Sequence, residues 1–373
     1  MGDAPLIELV AAVGAIGAVF ACVAACAVLF ASRGRTTRSD RPPVVLLRCA
    51  ETIDDELRAR WAPDERAYDG ELHRIVVSAA QCGLANDAVG NRKALQLAIA
   101  HREAWSLGWI TRDTVVVHAD ADVELQAGDL DRLVAATDAR TTAFAAPSPR
   151  GGTKLAELLA RAAITASPQA FATVDALARI TGGAPALAGK LVAIPQAELE
   201  AIGGYESLVA SIGDDVALVD ALRARGGRVR MAPVAAVTVN DRRTVRSVSD
   251  QLARWLRVAS LHRPGLLWTY PTLVASLPIA LALAPLHPTA ALAAGCLYAA
   301  RLVLGAALIL GPYRGRSSLL ALAVLPLADL MLLRAAWSAA GRTHVTWGRR
   351  IYRLGPGGSI EGVDVGSDVE SRA

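Results

Sequence analysis

The hydrophobic positions of this chain fall into three successive rhythms. Residues Pro5–Ala31 form an apolar run of about 27 residues, long enough to cross a bilayer with some tilt. From Pro42 to Asn240, short apolar runs alternate with stretches of helical period. Beyond Arg263 the chain is apolar again at membrane length, in Leu266–Ala284 and Thr289–Leu310. A further apolar segment, Ser317–Trp337, holds Asp329 and Arg334.

The middle rhythm predicts alternating strands and helices. Strands are expected at Pro43–Arg48, His73–Ala80, Thr114–Asp120, Thr142–Ala146 and Leu187–Ile194, then two short ones at Arg228–Ala232 and Ala235–Asn240. Helices are expected at Thr52–Trp61 (capped by Thr52), Asn91–Trp105, Asp129–Thr137, Lys154–Leu177, Gln196–Ile202, Asp214–Arg225 and Ser247–His262. This alternation predicts an α/β fold: a mostly parallel sheet with helices on both faces and ligands at the carboxyl ends of the strands.

Charge adds a topology. Arg33, Arg35, Arg38 and Arg41 come directly after the first run, which by the positive-inside rule makes it a transmembrane anchor and puts the alternating region in the cytoplasm. A cleaved signal peptide fits less well, because Asp3 and Glu8 precede or enter the run where Lys or Arg belongs. Arg342, Arg349, Arg350 and Arg353 mark the tail as cytosolic too, so Ser317–Trp337 is expected to lie at the interface or double back. Arg301 and Asp329 sit deep in apolar sequence, where a lone charge is costly, and are expected to pair. The expected division is an anchor at 1–32, a cytosolic catalytic domain at 33–263, membrane helices at 264–340 and a basic, then disordered, tail at 341–373. The cell membrane is the expected location, with several spans and the catalytic domain facing the cytoplasm.

Composition agrees. Apolar residues make up 53% of the chain and aromatics 5%, with a net charge of +4. The basic clusters flank apolar segments and carry no interleaved aromatics, a pattern for lipid headgroups rather than nucleic acid. The five cysteines show no metal-ligand spacing.

Three short motifs carry candidate chemistry. Asp120-Ala121-Asp122 closes a predicted strand; such a pair can hold a divalent ion against a diphosphate, although strand-end turns favour Asp in any case. Asp214-Asp215 opens a predicted helix, where acids complement the helix dipole or one serves as a general base. Gln251, Arg254 and Trp255 fall at i, i+3 and i+4, one face of a helix offering an amide, a guanidinium fork and an aromatic wall. Alone, each motif also fits an ordinary surface. Their order does not: the acidic pair comes after Asp-x-Asp by about ninety residues, and Gln-x-x-Arg-Trp about thirty-six later, just ahead of the apolar spans.

In that order the sequence resembles the inverting glycosyltransferases of the GT-A fold, and among them the ceramide glucosyltransferase-like membrane enzymes. ITGGAPALAGKLVAI and IGGY, NRKALQLA (Asn91–Ala98) and TWGRRIYRL (Thr346–Leu354) are further matches. The resemblance implies a GT-A nucleotide-sugar domain between an N-terminal transmembrane anchor and C-terminal membrane helices. It implies transfer of a sugar from a nucleotide-sugar, UDP-linked, to the hydroxyl of a ceramide-like lipid in the bilayer, with inversion. Asp120 and Asp122 become the ligands of Mg²⁺ or Mn²⁺ and Asp120 a donor contact, Asp215 the base, and Asp214, Gln251, Arg254 and Trp255 the acceptor and diphosphate contacts. Asn91 and Lys93 become donor contacts. A processive polysaccharide synthase shares the pattern, and a non-catalytic membrane scaffold could keep the fold. One departure stands out. SAAQCGLAND runs from Ser78 almost directly to Asn91, so a strand–helix unit is missing; Asp87, the acid at hand, either reads a uracil ring or, as a loop residue, caps the next helix.

Overall fold

The computed structural model describes residues 40–84, 89–150, 154–163, 187–239, 244–263, 277–278, 281–282, 284–285, 288–310, 320–347 and 350–365. They fall into two units, each drawn from distant parts of the chain. One comes from Arg35–Pro147, Thr181–Val239 and Arg342–Ala373, the other from Ser148–Ile180 and Asn240–Gly341.

The first unit is α/β. Its seven strands are β1 (Val44–Ala50), β2 (Leu72–Ser78), β3 (Val115–Asp120), β4 (Val123–Glu124), β5 (Thr141–Pro149), β6 (Leu191–Pro195) and β7 (Arg228–Thr238). They lie in the order β2-β1-β3-β6-β5-β7-β4. Five helices accompany them: α1 (Asp55–Trp61), α2 (Arg92–Ser106), α3 (Asp129–Val134), α4 (Gln196–Ala201) and α5 (Asp214–Ala224). Alternate residues of β1 and β3 (Val44 and Leu46, Val115 and Val117) meet Leu130 and Leu133 of α3 in one core. The intervening residues of β3, ending in His118 and Asp120, take the other face. There α2 packs on β1 and β2.

The sheet is mixed rather than mostly parallel. β1 pairs in parallel with β2 and β3, but β6 runs antiparallel to both β3 and β5, and β4 antiparallel to β7. All five residues of β6 are buried. A strand buried on both faces is a continuous apolar run whatever its direction, so its pattern carries no direction. The expected pair of short strands around Pro233 is one strand, β7. Its neighbour β4 covers only Val237 and Thr238, so most of β7 has the open edge that proline tolerates. Asp54, not Thr52, caps α1, accepting from Leu57 N at 2.8 Å.

The tail differs from expectation as well. Residues 350–365 are not disordered but complete an antiparallel meander of β8 (His344–Trp347), β9 (Arg350–Leu354) and β10 (Ile360–Val365). The meander pairs with the segment ahead of α5: Ile212 N donates to Gly358 O and Ile360 N to Ala210 O, each at 2.9 Å.

The second unit is helical: residues 155–163, α6 (Val245–His262), α7 (Pro288–Leu310), α8 (Leu320–Ala323) and α9 (Leu325–Ala340). Thr244 caps α6 reciprocally with Ser247, the two side chains satisfying each other's backbone N–H groups. Val248, Leu252 and Leu256 of α6 pack on Leu332, Ala335 and Ala339 of α9. Leu327, Leu330 and Trp337 recur at i, i+3 and i+10 on α9 and stay exposed. Among the described residues no helix is long and apolar enough to cross a membrane. Pro5–Ala31 and most of Leu266–Ala284, where spans are expected, lie outside the described residues, as does Asp87.

Arg301 and Asp329 do pair. The guanidinium grips both carboxylate oxygens, Nη2 at 3.0 Å from Oδ1, and both side chains are buried. Breaking one half of a buried pair leaves an uncompensated charge, at about 3–5 kcal/mol. Arg301→Leu should therefore lower the yield and melting temperature of folded protein in detergent, and adding Asp329→Leu should restore much of the loss. Equal damage from the single and double variants would show that the pair is not a unit.

Candidate active site

The carboxyl end of β3 is shaped from beneath by a buried charge. Arg48 shares one face of β1 with Val44 and Leu46 and is fully buried with Asp64. Its Nε and Nη2 donate to the two Asp64 oxygens at 3.0 and 2.6 Å. Nη1 donates to the carbonyls of Asp120 (3.0 Å) and Val123 (2.9 Å), the two ends of the Asp-x-Asp turn. Trp61 Nε1 donates to Ala121 O at 3.2 Å, and the Arg48 guanidinium lies over the Trp61 ring. The turn between β3 and β4 is held through its backbone, leaving the carboxylates of Asp120 and Asp122 to meet other partners.

Those partners are two lysines. Lys93, in the first turn of α2, places Nζ at 2.6 Å from Asp120 Oδ1, 3.3 Å from Asp214 Oδ2 and 2.6 Å from Gly189 O. Lys190 meets Asp120 Oδ2 at 3.0 Å and the two Asp122 oxygens at 2.9 and 3.0 Å. Lys190 arrives through the direction of β6: the antiparallel register ends with Ala119 opposite Leu191, and Asp120 N donates to Lys190 O at 2.9 Å. A parallel β6 would start at the other end of the sheet.

Asp214 and Asp215 open α5 a short way off, Asp214 within reach of Lys93. Asp215 Oδ1 accepts from Val216 N at 2.9 Å and Oδ2 from Gly189 N at 3.4 Å. Gly189 is needed for this approach, since a Cβ there would stand 3.0 Å from Asp215 Cβ. Asn91 ties the acidic pair to α2. It caps that helix by accepting from Ala94 N at 3.1 Å, while its amide donates to Ser211 O at 3.0 Å and reaches Asp214 Oδ1 at 3.5 Å. Gly90, at φ +128°, leads into that cap where a Cβ would strike Val209.

The charges sort the carboxylates into two kinds. Burial alone would raise Asp120, but Lys93 and Lys190 outweigh it and hold the carboxyl well below its usual range. Burial and the adjacent Asp214 charge push Asp215 up to about 6, against Lys93 and the N–H groups of Val216 and Gly189. Burial, aided by Lys93, pushes His118 down to about 3, so it stands neutral beside Tyr205, with Nδ1 at 3.0 Å from the hydroxyl. One ionised carboxylate and one poised near neutrality is the arrangement of a charge-holding group beside a general base.

The α/β unit thus brings together Asn91, Lys93, Asp120, Asp122, Asp214 and Asp215 from the expected site. Asn91 is a buried cap rather than a projecting side chain. Gln251, Arg254 and Trp255 share one side of α6 in the helical unit, each partly buried, with Trp255 packed against the core of that unit. Arg48, Asp64 and Lys190 are additions that pattern reading misses. The Gly-Lys pair before β6 is a usable signal only once the strand's direction is known.

The expected Mg²⁺ or Mn²⁺ meets a poor fit. Both oxygens of Asp120 and both of Asp122 are engaged by ammonium groups, and an ion between them would have to displace Lys190. Among the described residues no group of three His, Cys, Asp or Glu side chains is placed to hold a metal.

Residues 78–360 match the model of glycosyl transferase family 21. No curated protein matches the chain. Among solved structures, the chain is similar to the mannosyltransferase PcManGT from Pyrobaculum calidifontis in complex with GDP-Man and Mn2+, at 16% identity and a TM-score of 0.44, over 89% of this chain and 99% of that one.

The Arg48–Asp64 pair should matter to stability before chemistry. Asp64→Asn leaves a guanidinium buried without its counter-charge and is expected to cost about 3–5 kcal/mol of unfolding free energy. Urea unfolding followed by tryptophan fluorescence measures it; a loss below about 1 kcal/mol, the range of an exposed pair, would refute the assignment.

Proposed function

The chain belongs to glycosyl transferase family 21, and from that premise we propose that it moves a sugar from a UDP-linked donor to the hydroxyl of a ceramide-like membrane lipid, inverting the anomeric carbon. The observation that carries this reading is Asp215, a carboxylate pushed up to about 6 next to Asp214, whose own carboxylate shares Lys93 with Asp120 at the carboxyl end of β3. Asp215 takes the proton of the acceptor hydroxyl. The oxygen attacks the anomeric carbon from the face opposite the nucleotide, and the bond to the diphosphate oxygen breaks with its electron pair. Holding acceptor and donor in line converts an encounter into an intramolecular step. Asp214 flanks the base and raises its affinity for the proton. Arg254 is assigned to the departing diphosphate and Gln251 and Trp255 to the acceptor, a reading that rests on the family pattern.

A lipid acceptor is supported by the apolar runs of the sequence and by the helical unit. Leu292 and Val303 of α7 are each 68% exposed and Trp337 of α9 is 78% exposed, surface better covered by lipid than by water. The buried Arg301–Asp329 pair removes two of the charges that would oppose such an environment, while Arg334 of α9 stays exposed. On this reading the enzyme is anchored in the cell membrane with its α/β unit on the cytoplasmic side. Its donor half is short: β2 is the edge of the sheet, with no strand beyond it among the described residues.

Three measurements check the proposal. Lipid extracts from cells expressing the protein should contain a glycosylated lipid that is absent with Asp215→Asn; a polymer in its place would point to a processive synthase instead. In purified protein, Asp215 accepts a proton only when ionised, so kcat/KM should rise with pH through about 6 and level off above it. Asp215→Asn should lower turnover by roughly 100- to 10,000-fold while UDP binding stays near parental. A variant that turns over at the parental rate would remove Asp215 from the mechanism.

A further inference from the structure

We propose that Lys190 stands where a divalent cation would bridge Asp120 and Asp122, so that this chain holds a nucleoside diphosphate without a metal. The inference rests on the nucleotide-sugar reading above. It starts from occupancy: the carboxylate oxygens that a cation would bind already face Lys93 and Lys190 at 2.6–3.0 Å. Two ammonium groups also carry the same charge as one divalent ion, so the Asp-x-Asp carboxylates are balanced from within the chain.

The two lysines are not equivalent. An ammonium group has three N–H donors. Lys93 donates to the backbone carbonyl of Gly189 and is ion-paired with Asp120 and Asp214, so its ammonium is committed to three segments of the chain. Lys190 faces two carboxylates. Among the described residues it is bound to no backbone carbonyl, its three oxygen contacts all come from the Asp-x-Asp turn, and the side chains of Lys190 and Asp122 are 20% and 32% exposed, open enough for a phosphate oxygen to share the ammonium. Lysine binds phosphate as a point charge, the role a metal would otherwise fill. The position is also rigid. Lys190 leads directly into β6, and its carbonyl is bonded to Asp120 N, so the ammonium returns to the same pair of carboxylates that its own backbone adjoins.

The test uses the full chain in detergent, with UDP and Mn²⁺ as probes. By calorimetry, wild-type affinity for UDP should agree within about twofold between EDTA and excess Mn²⁺. Manganese paramagnetic resonance should show no tightly held ion in the wild-type protein. Lys190→Met should lose UDP affinity in EDTA by about 10- to 100-fold, the contribution of a charged hydrogen bond. It should then capture Mn²⁺, regain UDP binding with it, and lose the ion again when Asp122→Asn is added. A wild-type protein that captures Mn²⁺ through Asp122, or whose UDP affinity rises about tenfold or more with the ion, would overturn this inference and leave the proposed function standing. A wild-type protein that binds UDP in neither condition would overturn both. If Lys190→Met does not fold, the wild-type measurements decide the matter alone.

Discussion

One ammonium group organises the candidate site. Lys93 Nζ meets a backbone carbonyl ahead of β6, a carboxylate at the end of β3 and a carboxylate at the start of α5. Burial opposes its charge, yet Asp120 and Asp214 raise its affinity for the proton above the ordinary lysine value. A side chain so placed cannot lose its charge without leaving buried acids uncompensated, and cannot move without releasing all three segments. The geometry around Asp215 is a consequence. Gly189 donates to Asp215 through its N–H while Lys93 holds its carbonyl, and Asp215 keeps its raised proton affinity because burial and the Asp214 charge outweigh Lys93.

Buried charge is used differently beneath the turn. Arg48 commits its guanidinium to Asp64 and to two backbone carbonyls, so it sets the path of the chain rather than the charge of the site. A hydrophobic residue could fill that volume but could not bind both ends of a turn. The helical unit makes a comparable use of charge, with Arg301 and Asp329 neutralising each other between apolar helices. The Arg48–Asp64 and Arg301–Asp329 pairs are thus tied off as structure, while Lys93, Lys190 and their carboxylates gather at the end of β3.

Much of this is legible in the sequence, and the limits are specific. Helix and strand types emerge from periodicity, motif order singles out Asp120, Asp122, Asp214 and Asp215, and the family resemblance adds Asn91 and Lys93; the fold then brings these six together. Strand direction is not legible, because β6 is buried on both faces and its apolar run reads alike either way. That single ambiguity hides Lys190, whose importance depends on β6 starting beside the end of β3. Arg48 is hidden for a related reason: an arginine at the end of an apolar run looks like the return to solvent, and only the fold shows it turned inward onto Asp64. Pattern reading also ends the folded chain too early, since Gly and acidic residues after Leu354 look unstructured without their pairing partner at 210–212.

That pairing has a bearing on how the protein is made. The segment ahead of the acidic pair is held by Gly358 and Ile360, which come after the whole helical unit in the chain. A ribosome completes β7 and then α6 to α9 before the strand that braces residues 210–212 exists. During that interval the loop carrying Asp214 and Asp215 lacks two of its backbone hydrogen bonds, and closing so long a loop is entropically costly compared with a local hairpin. The α/β unit therefore reaches its final form only after the helices have been synthesised, so the loop that carries the acidic pair is completed by the last part of the chain to be made.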